Sequence, residues 1–137
     1  MSSDNKTLVR RWFEEVWNQG RAAAIDELTA PNCTVHGLAP DPVDVAGFRA
    51  FYALYRETFP DVHVRVDEIV SEGDLVACRW TVTATHRGNG LGFAATNRPV
   101  RFTGMLFARV VNGKLAEGWN NFDQLGMMQQ LGVVQAF

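Results

Sequence analysis

Asp123 is the residue around which acid/base chemistry would be built. It stands in "GWNNFDQLGMMQQLG", residues 118–132, where a strand pattern gives way to a helix pattern. By strand alternation it shares a face with Trp119 and Asn121, so an indole and an amide would flank the carboxylate in a partly dry site. Such surroundings raise a carboxyl pKa from a reference near ~3.9 toward ~6, where one group can both take and return a proton. The same Asp also suits the N-cap of the helix that follows, a role in which replacement by Ala costs roughly 1 kcal/mol. Periodicity leaves both roles open.

His36, in "CTVHGL", is the second candidate, because a neutral imidazole can donate to a carbonyl or steady an enolate oxygen. It can equally be a satisfied, half-buried residue at a strand end. His86, beside Arg87 and a glycine-rich loop, is expected in solvent, and His63, set among alternating valines, is expected to face outward. The three histidines lie on separate elements with no H-x-H or H-x-x-x-H pair, so no metal site is expected. There is no G-x-S-x-G turn, and "GNGLG" follows a strand without opening a helix. No organic cofactor is expected either.

Aromatic residues are placed to line a cavity for a flat, polycyclic molecule. Trp17, Phe51, Tyr55, Phe59, Trp80 and Trp119, with Asn121, are the candidate substrate contacts, and Trp12 and Phe122 belong to the same group. At helical or strand spacing, the same residues also serve as ordinary core.

Around these residues the chain is of ordinary globular composition. Its 137 residues suit one domain spanning 1–137, with 47% hydrophobic and 20% charged residues and a formal net charge of -2. Thirteen Lys and Arg are scattered among fifteen Asp and Glu, without the basic stripe that a nucleic acid would require. No apolar run is long enough to span a bilayer or act as a signal sequence, so no membrane partner and a cytoplasmic location are expected. Cys33 and Cys78 both sit in strand-like alternation and are expected as reduced core thiols.

The elements follow from period and punctuation. "DNKTLVRRWFEEVWNQG" predicts one amphipathic helix capped by Asp4 and ended by Gly20, and "RAAAIDELTAP" a short second helix stopped before Pro31. "NCTVHG" is a short strand. "VAGFRAFYALYRETF" predicts a third helix with Asp44 as N-cap. Four consecutive antiparallel strands come next: a hairpin about "EGD", the loop "RGNGLGFAATNRP", then a hairpin about "NG". "QLGMMQQLG" closes as a helix, most simply docked by its methionines. The order is an α+β plan with helices on one face of a curling sheet, and the space between them is where a pocket belongs.

The segments "NKTLVRRWFEEVWNQG", "TVHG", "GFRAFYALYRETFPDVHV", "ACRWTVTATHRG", "FTGMLFARVVNGKLAEGW" and "WNNFDQLGMMQQLG", in this order and spacing, resemble the SnoaL-like polyketide cyclases. That family sits in the NTF2-like superfamily with nuclear transport factor 2 and ketosteroid isomerase. The resemblance implies a cone-shaped curved antiparallel sheet wrapped around N-terminal helices, a homodimer formed through the sheet, and action without metal or cofactor. It implies an intramolecular aldol ring closure of a polyketide-like substrate, with Asp123 as acid/base and His36 facing the same cavity. Isomerase or dehydratase chemistry and non-catalytic small-molecule binding are the alternatives within the superfamily. The chain departs from the family pattern at "AATN" (94–97), where "PPTG" is common, and at Leu106, where an acid is frequent.

Overall fold

In the computed structural model, which describes residues 2–135, the first predicted helix is two pieces. An α-helix, α1 (Ser2–Arg11), passes into a π-helical segment, Trp12–Asn18. Asp4 therefore lies within the first turn of α1 and is not its cap. The wider π turn points Trp12, Phe13 and Val16 together into the core. Its carbonyls take partners from elsewhere: the Tyr52 hydroxyl donates to Val16 O at 2.9 Å and the Arg56 guanidinium to Trp17 O at 3.2 Å. Asn18 closes the segment with its amide against a strand backbone, donating to Val64 O at 2.9 Å and accepting from Val64 N–H at 2.7 Å. Gly20, at φ +66°, turns the chain away as expected.

Helix α2 (Ala23–Leu28) runs directly into β1 (Thr29–His36). Pro31 is inside that strand rather than stopping the helix, which ends earlier than expected. β1 is an edge strand with a register shift between Thr29 and Thr34, a position where a missing N–H is tolerated. Helix α3 (Val45–Thr58) has the expected cap, the Asp44 carboxylate accepting from Gly47 N–H at 2.9 Å.

Strands β2 (His63–Glu72), β3 (Leu75–Thr85), β4 (Pro99–Val111) and β5 (Lys114–Phe122) pair antiparallel in sequence, and α4 (Gln124–Gln130) ends the fold. The sheet order is β1-β5-β4-β3-β2. β1 joins β5 in parallel, so the sheet is mixed rather than wholly antiparallel, because the whole of α3 and three further strands separate the pair in sequence. The β4–β5 turn uses Asn112 and Gly113, both at positive φ, as an N-G hairpin demands.

Two bulges set which side chains face inward. In β2 the register slips between Val66 and Glu68, and in the β4–β5 ladder it slips where Arg109 pairs Glu117 but Val110 pairs Leu115. The inner face then carries Val76, Cys78, Trp80, Val82, Phe102, Leu106, Ala108 and Val110, all buried against the helices. The outer face leaves Val70, Met105, Phe107 and Val111 exposed. Both thiols are in the inner layer. Burial pushes Cys33 up to about 11 and Cys78 up to about 12, so both stay protonated and unreactive. No helix among the described residues is long and apolar enough to cross a membrane.

Gly104, on the inward face of β4, must stay small. A Cβ there would stand 2.5 Å from the Trp80 indole, its ladder partner. Gly104→Ala should therefore force Trp80 aside and cost about 1–3 kcal/mol, an overpacking effect measurable by urea denaturation.

Candidate functional site

Between the concave sheet and the helices lies a narrow cavity of about 80 Å³, open at its mouth. The π-helical segment supplies Trp12, Phe13 and Trp17; α3 supplies Phe48, Phe51 and Tyr55, with Phe59 just beyond; the sheet supplies Trp80, Phe102, Asn120 and Phe122. The rings hold one another at angles rather than collapsing flat. Phe51 stacks on Tyr55 at 4.3 Å, while Phe122 meets Phe51 and Tyr55 edge-on at 6.2 and 6.1 Å.

Few polar groups interrupt this lining. Burial raises the pKa of the Tyr55 hydroxyl, partly offset by a hydrogen bond from the Gln124 side chain, so the phenol remains a donor. The Asn120 amide donates to His36 O at 3.3 Å, which fixes it between β5 and β1. Asn120, Trp12 and Phe48 also border a second, smaller space of about 40 Å³ that reaches Cys33 and Glu117. Such a cavity can hold a flat, largely apolar molecule by its faces and meet an oxygen at one edge.

A different cleft lies on the outer face of the sheet, where Arg79, Thr103, Asn121 and Asp123 come together. Trp80 and Phe122 border both this cleft and the cavity.

The whole-chain pattern of a known family fits this architecture. The family profile of the SnoaL-like polyketide cyclases matches residues 7–131. The chain belongs to the SnoaL-like polyketide cyclase family. Among solved structures it is similar to IdmH, a proposed polyketide cyclase from Streptomyces antibioticus (31% identity, TM-score 0.83, covering 94% of this chain and 99% of that one). A proposed polyketide cyclase from Acidithiobacillus ferrooxidans is alike at 31% identity and TM-score 0.85, with 96% of each chain covered. AclR, a proposed hydroxylase from Streptomyces galilaeus, superposes with TM-score 0.91 at 26% identity over 100% of this chain and 86% of that one. No curated protein matches the sequence. The curved, unclosed five-stranded sheet with N-terminal helices is that of the NTF2-like superfamily.

Within this SnoaL-like fold, the residues singled out from sequence divide into two sets. Trp17, Phe51, Tyr55, Phe59 and Trp80 line the cavity, as do Trp12 and Phe122. Trp119 and Asn121 do not: they share a face with Asp123, as alternation requires, but it is the outer face, opposite Phe107 and Met105. The bulge in the β4–β5 ladder is the reason. Leu115 points inward, and one extra residue at Ala116 hands the inward positions to Gly118, Asn120 and Phe122.

Asp123 is exposed and caps α4, its Oδ1 accepting from Gly126 N–H at 2.9 Å. His36 is also on the outer side, its ring stacked on Trp119 at 5.2 Å and its Nε2 2.7 Å from Glu117 Oε2. The structure therefore does not bring Asp123 and His36 together in the cavity. Glu117 escapes sequence reasoning because its pairing with His36 depends on the parallel β1–β5 register. His63 is exposed as expected.

His86 corrects its expectation. It is fully buried, between Phe59 at 5.9 Å and Phe93 at 5.1 Å. Its Nδ1 accepts from Thr96 N–H at 3.0 Å, and its own backbone binds Asn97 N–H and Arg98 O. The loop expected to leave it in water folds back over it.

Asp123→Ala should lower stability by roughly 1 kcal/mol and Asp123→Asn by a few tenths, since Asn caps as well as Asp; chemical denaturation reads both. Burial lowers the His86 pKa from 6.5, so the unfolded chain binds more protons than the folded one as pH falls. The contribution of His86 to stability is present above about 6.5 and lost as pH falls through its lower folded value. The native melting temperature should thus drop more between pH 7 and 5 than that of His86→Phe.

Proposed function

We propose that the chain binds an extended, conjugated carbonyl compound in the aromatic cavity and promotes its ring closure, a cyclase-like role. The observation that carries this reading is the lining itself: ring faces on nearly every side, with the Tyr55 hydroxyl and Asn120 amide available at the edges. Such a surface folds a flexible polycarbonyl chain against flat walls while amide and phenol donors hold an oxygen.

The reaction would begin with loss of a proton from a carbon between two carbonyls, already acidic enough for a carboxylate base. The enolate carbon attacks a second carbonyl of the same molecule, a C–C bond forms, and the new alkoxide takes up a proton. Asp123 is proposed as the base working from the rim, its cleft sharing Trp80 and Phe122 with the cavity; it must then release Gly126. His36, engaged by Glu117 and Trp119, is proposed as a lesser contributor to oxygen binding. A purely binding role is the second reading, and the cap geometry of Asp123 favours it.

Tryptophan quenching should report binding of 9-fluorenone, and Asp123→Asn should bind it as the native chain does. Turnover of a synthetic linear poly-β-ketone should fall about 10²–10⁴-fold in Asp123→Asn if the carboxylate is the base. Unchanged turnover would remove Asp123 from the chemistry; no turnover by the native chain would favour the binding role; absence of fluorenone binding would overturn the cavity reading.

The exposed Val70, Met105, Phe107 and Val111 support a further proposal, a homodimer through the outer sheet face. Phe107→Asp should convert a dimer to a monomer in light scattering, and a monomeric native protein would refute the pairing. Two buried, protonated thiols suit a reducing, cytoplasmic setting.

A further inference from the structure

His86 has a buried donor with nothing to donate to. Its Nδ1 accepts a backbone N–H, that of Thr96, and a backbone N–H can only donate. The ring proton is therefore on Nε2, and Nε2 is buried with no hydrogen-bond partner. The Thr96 hydroxyl, also 3.0 Å from Nδ1, lies at the same edge of the ring and leaves Nε2 as it is. A buried orphan N–H is unfavourable enough to need an explanation in the native state.

The surroundings narrow that explanation. Phe59 both lines the cavity and packs on the imidazole, so the ring that carries the orphan donor is next to the cavity wall rather than in a remote part of the core. On the other side Phe93 comes from the 87–97 loop, which is pinned to the end of α3 by Arg87 and Gly88 N–H groups on Thr58 O. Gly88 and Gly90 let that loop lie against α3, where a Cβ would stand 2.1 Å from Glu57 O and 2.4 Å from Thr58 Oγ1. Two aromatic rings thus hold a neutral imidazole edge beside an aromatic cavity.

We propose that His86 Nε2–H is an oxygen-binding donor at the inner end of the cavity, reached by a planar ligand carrying a carbonyl or enol oxygen when the Phe59 ring turns aside. The site deepens the proposed cavity function and rests on it, adding a donor that neither Asp123 nor His36 supplies. It selects for a ligand with an acceptor oxygen at its leading edge, and a hydrocarbon of the same shape gains nothing from it.

The test compares 9-fluorenone with fluorene, which has the same shape without the carbonyl, using the native protein labelled with ¹⁵N-histidine. Both should quench tryptophan fluorescence, but only fluorenone should move the His86 Hε2 and Nε2 resonances downfield. His86→Phe should weaken fluorenone about 10-fold, one hydrogen bond's worth, and leave fluorene unchanged, while His86→Gln restores part of the difference. Fluorenone bound with unmoved His86 resonances overturns the donor site and leaves the cavity reading standing. A water cross-peak to His86 Hε2 that persists at fluorenone saturation also overturns it, since water then satisfies the donor. If neither compound binds, the cavity reading falls and the donor site with it.

Discussion

One extra residue in β5 decides which chemistry faces which solvent. Leu115 and Val110 pair on the inner face, and the slip beyond them hands the following inward positions to Gly118, Asn120 and Phe122. Without it, Trp119, Asn121 and Asp123 would continue the inward row begun by Leu115, because a one-residue shift moves every later side chain to the other face. The bulge places an amide and a phenyl ring in the cavity. It sends an indole, an amide and a carboxylate to the outer face. The strand ends with its carboxylate free to cap α4, and that cap aligns the helix whose Gln124 reaches Tyr55.

The cavity itself depends on a second irregularity, the π-helical turn at Trp12–Asn18. A regular helix would spread Trp12, Phe13 and Trp17 over a wider arc; the wider turn keeps all three on the cavity. Tyr52 and Arg56 satisfy carbonyls of this segment, and Asn18 ties its end to the backbone of β2. The aromatic rings are then too bulky and too angled to fill the concave face completely. Trp12 on Phe48 and Phe13 on Trp80, each with centroids 5.0 Å apart, brace the walls. Gly104 gives Trp80 the room it needs beneath them.

Period and turn chemistry make most of the architecture legible in the amino-acid sequence. The Asp44 cap, the N-G hairpin, the alternation of β3 and β4 and the aromatic row of α3 are each local signals, and each is found where it is expected. What is not legible is non-local. A bulge leaves no residue signature in "KLAEGWNN", so alternation assigns Trp119, Asn121 and Asp123 correctly to one shared face and wrongly to the inward one. The same limit hides the His36–Glu117 pair, which exists only because β1 lies parallel to β5. His86 has loop neighbours that suggest solvent, yet the glycines behind that expectation are what allow the loop to close over it.

The groups around the cavity also divide by what they can exchange. Tyr55 is held protonated by burial, Asn120 is an amide, and the His86 ring is held neutral by burial with its proton on Nε2. All three can donate to an oxygen, and none is a base strong enough to strip a carbon at neutral pH while remaining in its buried form. Asp123 and Glu117, which border the neighbouring spaces, are instead partly solvated, one on a helix cap and one on His36. An apolar chamber with donors inside and carboxylates outside favours binding and polarising a carbonyl over removing its proton. On the proposed cyclase reading, proton transfer falls to the rim carboxylates, and the interior's part is to hold the carbon chain.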